Sequence, residues 1–137
     1  MHLKVASYNM FSWTNARAEE VMDWDADVIA LQETKLNREL LHDARIFCNE
    51  RNWSFYHGAP SPMCPRMGRG NKLGVGVLSS PGLALQPIKP NSPVWTRINA
   101  MGRLTIVKMP KTVELPRGIW FVTVYAPLQD DPQRQMF

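Results

Sequence analysis

The sequence predicts a single sheet-rich α/β domain, and three features of its 137 residues lead to that prediction. The first sixty residues alternate between strand and helix patterns in the order βαβαβ. After them, strand patterns outnumber helical ones. No internal repeat, low-complexity tract or linker divides the chain, and its length suits one hydrophobic core rather than two.

Strand and helix patterns alternate through the N-terminal part. Residues 3–9, "LKVASYN", have the apolar content of a buried strand, and residues 27–32, "DVIALQ", form a second such run. Between them, "TNARAEEVMDWD" has the period of a short helix, for which Asn15 is a candidate N-cap. A second helix is predicted in "NRELLHDARIFCNERN", with Asn37 as its cap, and a third strand in "WSFYHGA".

The amino-acid composition changes at Pro60. The stretch "PSPMCPRMGRGN" is rich in proline, glycine and basic residues, which predicts an irregular basic loop. Strand patterns follow in "KLGVGVLSS", "VWTRINA", "GRLTIVKMP" and "GIWFVTVYAP". In the first of these, Gly74 and Gly76 leave space for a ligand or another backbone to approach closely. Asp131 before Pro132 resembles the start of a further helix, which we expect to be incomplete.

Composition restricts the functional classes only mildly. A net charge of +4 and a pI of about 9.3 are compatible with a phosphate-rich partner but do not require one. Two cysteines, Cys48 and Cys64, support neither a disulfide framework nor a Cys-rich zinc site. No window reaches the roughly 18 apolar residues of a membrane span, and the N-terminus lacks a signal-peptide pattern. We therefore expect an intracellular protein, with a nuclear location as one option, that is not secreted and has no membrane partner.

Polar residues stand at the ends of three predicted strands: Asn9, Glu33 and Tyr125. If these ends lie at one edge of a sheet, they bring an amide, a carboxylate and a phenol together. Glu33 is then a candidate ligand for a hard cation such as Mg²⁺, and the other two are candidate phosphate contacts. Lys35 adds a positive charge nearby. Each residue also has a purely structural interpretation, as a strand terminator, a core aromatic or a solvated side chain.

At these residues the sequence resembles the endonuclease/exonuclease/phosphatase superfamily, whose Mg²⁺-dependent phosphodiesterases include apurinic-site and retroelement endonucleases. "LKVASYN" is similar to the first strand of the family and "DVIALQETKL" to its metal-binding motif. "GVGVLSS", "GRLTIVKMP" and "VTVYAP" are similar to three later strands. The motifs stand in the family order over nearly the whole chain, and Thr34 and Lys35 fit the apurinic-site and retroelement branches best.

The resemblance implies a DNase I-like α/β sandwich with mixed, mostly antiparallel sheets and flanking helices. Residues 1–137 would form the N-terminal part of one such domain. DNA is the implied partner, with RNA as the alternative, and Mg²⁺ is the implied cofactor, with Mn²⁺ as the alternative. The implied site residues are Glu33 as the metal ligand, Asn9 and Tyr125 as catalytic residues at the scissile phosphate, and Lys35 and Arg69 as substrate contacts.

The sequence also departs from the family pattern. Met10, Phe11 and Ser12 replace a segment that carries a polar residue and a glycine after the first Asn in those branches. The Gly-Asp-x-Asn and Ser-Asp-His motifs, which supply the family's water-activating Asp and its phosphate-binding His, are absent. We therefore expect a truncated domain with weak or no activity alone, and apolar faces that a partner would cover.

Two alternatives to a DNA phosphodiesterase remain at this stage. One is a catalytically inactive nucleic-acid-binding or interaction module that uses the basic loop of residues 66–72. The other is a phosphodiesterase that acts on RNA or on phospholipid head groups. The residue types of the predicted site do not separate these possibilities, although Thr34 and Lys35 argue against the second.

Overall fold

Two β-sheets and three helices form the part of the chain that the computed structural model describes, residues 2–60 and 73–126. None of these helices has the length and apolar content needed to cross a membrane. The predicted loop beyond Pro60, with Cys64, and the predicted helix start at Asp131 lie outside the described residues. The elements in chain order are β1 (Val5–Asn9), α1 (Asn15–Met22), β2 (Val28–Gln32), α2 (Arg38–Asn49), β3 (Ser54–His57), β4 (Val75–Ser79), β5 (Gln86–Pro87), α3 (Pro93–Ala100), β6 (Leu104–Met109) and β7 (Ile119–Val124).

The strands form one sheet in the order β1-β2-β4-β3 and a second in the order β5-β6-β7. β1 and β2 run parallel, because α1 returns the chain to the starting end of the sheet between them. The other strand pairs of the described residues are antiparallel. The predicted α/β architecture, with mixed and mostly antiparallel sheets and flanking helices, is therefore confirmed.

Two hydrophobic clusters lie on opposite faces of the first sheet. On the face covered by helices, Ile29 of β2 and Leu41 of α2 belong to one buried cluster. On the other face, Val28 and Val77 pack with Val107 of the second sheet. Because successive residues of a strand point to opposite faces, the unbroken apolar runs of β2 and β4 supply both clusters. The first sheet is thus the central layer of the described structure.

The strand predicted at residues 94–100 is wrong, since this segment forms α3. Ser92 Oγ accepts a hydrogen bond from the backbone N–H of Trp95 at 3.3 Å, and Pro93 begins the first turn. A serine at this position satisfies an otherwise unpaired amide, and a proline there has no N–H to leave unpaired. These start signals outweigh the β-branched residues of the segment, and the helix buries Ile98.

Helix caps and strand ends show smaller differences from the predictions. Thr14 caps α1 in place of Asn15, and its Oγ1 accepts a hydrogen bond from a first-turn amide at 3.1 Å. Asn37 caps α2 as predicted, with an equivalent bond at 2.8 Å. β1 is not the buried strand that the sequence predicts. It starts at Val5, whose side chain is 56% exposed because β1 is an edge strand of the described sheet.

Candidate functional site

Three of the predicted site residues meet at one edge of the molecule. Asn9 ends β1 and pairs with Gln32, which ends β2, so Glu33 follows at the same edge. β7 ends at Val124, and the next residue, Tyr125, donates a hydrogen bond from its hydroxyl to Glu33 Oε1 at 2.6 Å. The structure therefore brings these side chains together, while their chemical roles stay predictions. We term this edge the rim, defined by Asn9, Glu33 and Tyr125.

Hydrogen bonds and a nearby charge keep Glu33 ionised. The Tyr125 hydroxyl is the main cause that holds the pKa of Glu33 below its ordinary value, and the Asn9 amide and the Lys35 charge act in the same direction against burial. Donors that face a carboxylate stabilise its charged form. The same hydrogen bond raises the pKa of Tyr125, because the carboxylate holds the phenol proton. At neutral pH the rim therefore offers a carboxylate from Glu33 and a proton from Tyr125.

The Asn9 side chain is held through its amide oxygen. Its Oδ1 accepts a hydrogen bond from the backbone N–H of Phe11 at 3.0 Å, which leaves Nδ2 as the amide group that lowers the pKa of Glu33. Phe11 and Ser12 have positive φ angles of 52° and 112°, which turn the chain sharply after β1. Met10 is buried and Phe11 is 67% exposed. Neither of these two side chains supplies the polar group that the family resemblance would place after Asn9.

The backbone that carries Glu33 is strained. Glu33 and Lys35 have φ angles of 52° and 54°, in a region that costs a non-glycine residue about 1–3 kcal/mol. Neighbouring segments hold it from two sides: Trp13 N donates to Thr34 O at 2.8 Å, and Thr34 N donates to Gly74 O at 3.1 Å. Strain that surrounding hydrogen bonds maintain in this way is typical of functional sites.

A histidine that the sequence analysis leaves without a role lies behind Glu33. Thr34 Oγ1 is 2.6 Å from His57 Nε2, and His57 Nδ1 is 2.6 Å from the carbonyl oxygen of Gly58. Because a carbonyl only accepts, Nδ1 carries the proton, and the Thr34 hydroxyl donates to Nε2. Burial, with a smaller effect from the charge of Arg45, lowers the pKa of His57 to about 4. The ring is therefore neutral and anchors the residue next to Glu33.

Arg103 is a second residue that the sequence analysis misses. It directly precedes β6 and is only 3% exposed. Its Nη1 donates to the carbonyl oxygen of Tyr125 at 3.0 Å, its guanidinium lies 5.7 Å from the Tyr125 ring, and Tyr125 N donates to Arg103 O at 3.1 Å. The antiparallel pairing of Leu104 with Val124 could have identified Arg103, because the next residue pair outward is Arg103 and Tyr125. Arg103 thus positions the phenol.

The two predicted substrate contacts have different outcomes. Lys35 lies beside the rim, where its charge contributes to the lowered pKa of Glu33. Its backbone N–H donates to the carbonyl oxygen of Leu73 at 2.6 Å, so its place in the chain is held as firmly as that of Thr34. Arg69 and the basic loop to which it belongs lie outside the described residues.

The rim provides a small donor set for a cation. Within residues 2–60 and 73–126, no group of three or more His, Cys, Asp or Glu side chains is placed to hold a metal ion. An ionised Glu33 carboxylate suits a hard divalent cation that keeps several of its waters, as Mg²⁺ does. The described donors therefore fit a weak Mg²⁺ site and are too few for a closed one.

Comparison with solved structures identifies the fold. Over 97% of its length the chain matches the catalytic domain of APE2 from Xenopus laevis, with a TM-score of 0.68 and 20% sequence identity. Over 92% of its length it matches an AP endonuclease from Archaeoglobus fulgidus, with a TM-score of 0.61 and 19% identity. It spans 48% and 42% of those two chains. No protein-family model and no curated protein matches it. The chain thus has the DNase I-like α/β fold that its sequence motifs predict.

Proposed function

We propose that this chain carries the metal-binding and phosphate-binding side of a DNA phosphodiesterase site of the apurinic-site endonuclease type. The observation that carries the proposal is the hydrogen bond from Tyr125 to the ionised Glu33, two residues that are 92 positions apart in the chain. Asn9 joins them from a third strand. The two solved structures with this fold are described as an APE2 catalytic domain and an AP endonuclease, which supports DNA as the substrate.

Each polar side chain of the rim has a defined task in this proposal. Glu33 holds Mg²⁺, with Mn²⁺ as the alternative, through its carboxylate oxygens. The cation, when bound, supplies positive charge that stabilises the charge developing on the phosphate. Asn9 and Tyr125 provide N–H and O–H groups that hydrogen-bond phosphate oxygens, and both side chains lie beside Glu33. The charge of Lys35 attracts the DNA backbone.

The proposed site has no assigned group that activates water. The sequence contains neither a Gly-Asp-x-Asn nor a Ser-Asp-His motif. Loss of a general base typically lowers a rate by about 10²–10⁴-fold. We therefore propose that this chain alone binds DNA more effectively than it cleaves DNA.

Isothermal titration calorimetry with Mg²⁺ tests the metal assignment. We expect an affinity in the millimolar range or weaker, because one carboxylate plus water is a poor cage for the cation. Glu33→Gln should abolish the binding heat. The matched control Glu20→Gln removes the same charge from the exposed surface of α1 and should leave the heat unchanged. Equal binding to the wild type and to Glu33→Gln would contradict the assignment.

A DNA duplex that carries one abasic-site analogue tests the substrate. We expect fluorescence anisotropy to report binding that strengthens with Mg²⁺, weakens with salt and is reduced in Asn9→Ala, together with little or no cleavage. Binding that is independent of Mg²⁺ and of Glu33 would favour a nucleic-acid-binding module. A preference for RNA or for inositol phosphates over DNA would favour a different phosphodiesterase. Efficient cleavage that is lost in Glu33→Ala would contradict the proposed lack of activity.

A further inference from the structure

A groove of about 790 Å³ runs along one edge of β3. β3 lies at the end of the first sheet, and among the described residues it pairs only with β4. α2 forms one wall of this β3 groove, and the segment from Pro87 to Pro90 forms the other. Phe55 and Tyr56 of β3 lie on its floor. Its volume is within the range of ligand-binding clefts.

Basic side chains line both walls of the β3 groove. Arg38, His42 and Arg45 follow the spacing i, i+4 and i+7, so they share one face of α2, and Lys89 lies on the opposite wall. All four are exposed. Among the described residues, no aspartate or glutamate lines the groove, and none forms an ion pair with Arg38, Arg45 or Lys89. The groove therefore carries positive charge that no described acidic group balances.

The floor of the β3 groove offers backbone groups rather than aromatic faces. The edge of a sheet carries N–H and C=O groups that no neighbouring strand satisfies. Phe55 is buried, Tyr56 donates its hydroxyl to the carbonyl oxygen of Leu85 at 3.0 Å, and the His57 ring is held by hydrogen bonds at both nitrogens. The described rings of the floor are thus unsuited to stacking on a nucleic-acid base. An extended peptide, in contrast, can pair with a strand edge.

We propose that the β3 groove binds an extended acidic peptide segment, which adds to the edge of β3 as a further strand. Side chains of such a strand alternate between two sides, so its carboxylates meet Arg38 and Arg45 on one wall and Lys89 on the other. A symmetric dimer through two β3 edges does not fit the groove, because it would place two identical basic surfaces against each other. None of the three rim residues lines the groove, and the charges that carry this inference lie on α2 and at Lys89, so it stands independently of the proposed function.

A short fluorescent peptide with the repeat Glu-Glu-Val-Val, which places carboxylates on both sides of an extended strand, is the probe. We expect anisotropy to report binding that weakens with salt, and a Kd about tenfold higher in Arg45→Glu. Lys111→Glu makes the same charge change at an exposed position outside the groove and should alter the Kd by less than about twofold. Circular dichroism verifies that each variant is folded. An Arg45→Glu variant that binds as well as Lys111→Glu would overturn the proposal.

A second peptide separates strand pairing from simple charge attraction. The same sequence with N-methylated amides at alternate residues keeps its charge but loses the donors that pair with β3, so we expect about tenfold weaker binding. Hydrogen exchange should slow at β3 amides with the unmodified peptide alone. Equal binding of both peptides, or binding of neither, would overturn strand addition. Tighter binding of a short oligothymidylate that Arg45→Glu weakens would assign the groove to single-stranded nucleic acid instead.

Discussion

The rim and the outer face of the second sheet are held in opposite ways. At the rim, hydrogen bonds from neighbouring segments maintain Glu33 in a strained conformation with a φ angle of 52°. On the outer face, Trp120 and Val122 of β7 are 54% and 51% exposed and pair with β6, and the Lys108 ammonium lies 5.2 Å from the centre of the Trp120 ring. Small substitutions should therefore have large effects beside the rim and small effects on the outer face.

The largest loss of stability is expected for Gly74→Ala, beside the rim. Gly74 has a φ angle of 94°, and a Cβ atom there would lie 2.3 Å from Thr34 Oγ1. Gly82→Ala is the matched control, with a φ angle of 85° and no atom within 4 Å of a Cβ. The positive φ costs alanine roughly 1–2 kcal/mol at both positions. The clash at Gly74 should add about 1–3 kcal/mol, measured by urea unfolding. Equal losses would mean that Thr34 moves aside freely.

Acid should weaken the structure behind the rim through His57. The pKa of this histidine is about 4 in the folded protein against 6.5 as its ordinary value, so between these values the unfolded chain binds more protons. Stability is therefore fully present above about pH 6.5 and falls toward pH 4, by up to about 1.4 kcal/mol per pH unit. Urea unfolding at several pH values measures the slope. His57→Gln should show a shallower decline, and an unchanged slope would assign the effect to other groups.

Features of the rim that depend on neighbouring sequence are predictable. A helix between two parallel strands brings the strand ends to the same edge, so Asn9 and Glu33 become neighbours through a local βαβ pattern. The Asn37 cap is equally local, because the asparagine side chain bonds an amide three residues later. These predictions need no knowledge of the rest of the fold.

Features that depend on segments far apart in the chain cannot be predicted from local sequence patterns. The bond between Thr34 and His57 requires the strand order β2-β4-β3, which no periodicity of the sequence contains. The error in α3 has a different cause. Val94, Thr96 and Ile98 alternate as in a strand, and the cap at the preceding serine decides for helix. The alternating pattern favours a strand and the N-cap favours a helix, and the segment forms a helix.

A smaller effect is expected for Tyr125→Phe, which removes a single hydrogen bond from the rim. The loss of the donor to Glu33 should raise the pKa of that carboxylate toward 4.5 and lower stability by about 0.5–1.5 kcal/mol. Because the folded pKa of Glu33 is depressed, its contribution is present above about pH 4.5 and is lost in acid, so the variant should lose less on acidification. Carboxyl NMR titration measures the pKa. Tyr8→Phe, at the end of β1 but away from Glu33, should leave it unchanged.

The smallest effect is expected on the outer face, for Val122→Thr. Threonine has a similar shape and strand preference, and a half-exposed hydroxyl stays hydrated, so the free energy of unfolding should change by about 0.5 kcal/mol or less. Val77→Thr makes the same change between the two sheets, where the side chain is fully buried, and should cost about 1–3 kcal/mol. Urea unfolding compares the two variants, which should differ because solvent exposure, and not membership of a strand, decides how much a hydroxyl destabilises the fold. Equal losses of stability would mean that the outer face is covered in solution, and sedimentation velocity would then reveal self-association.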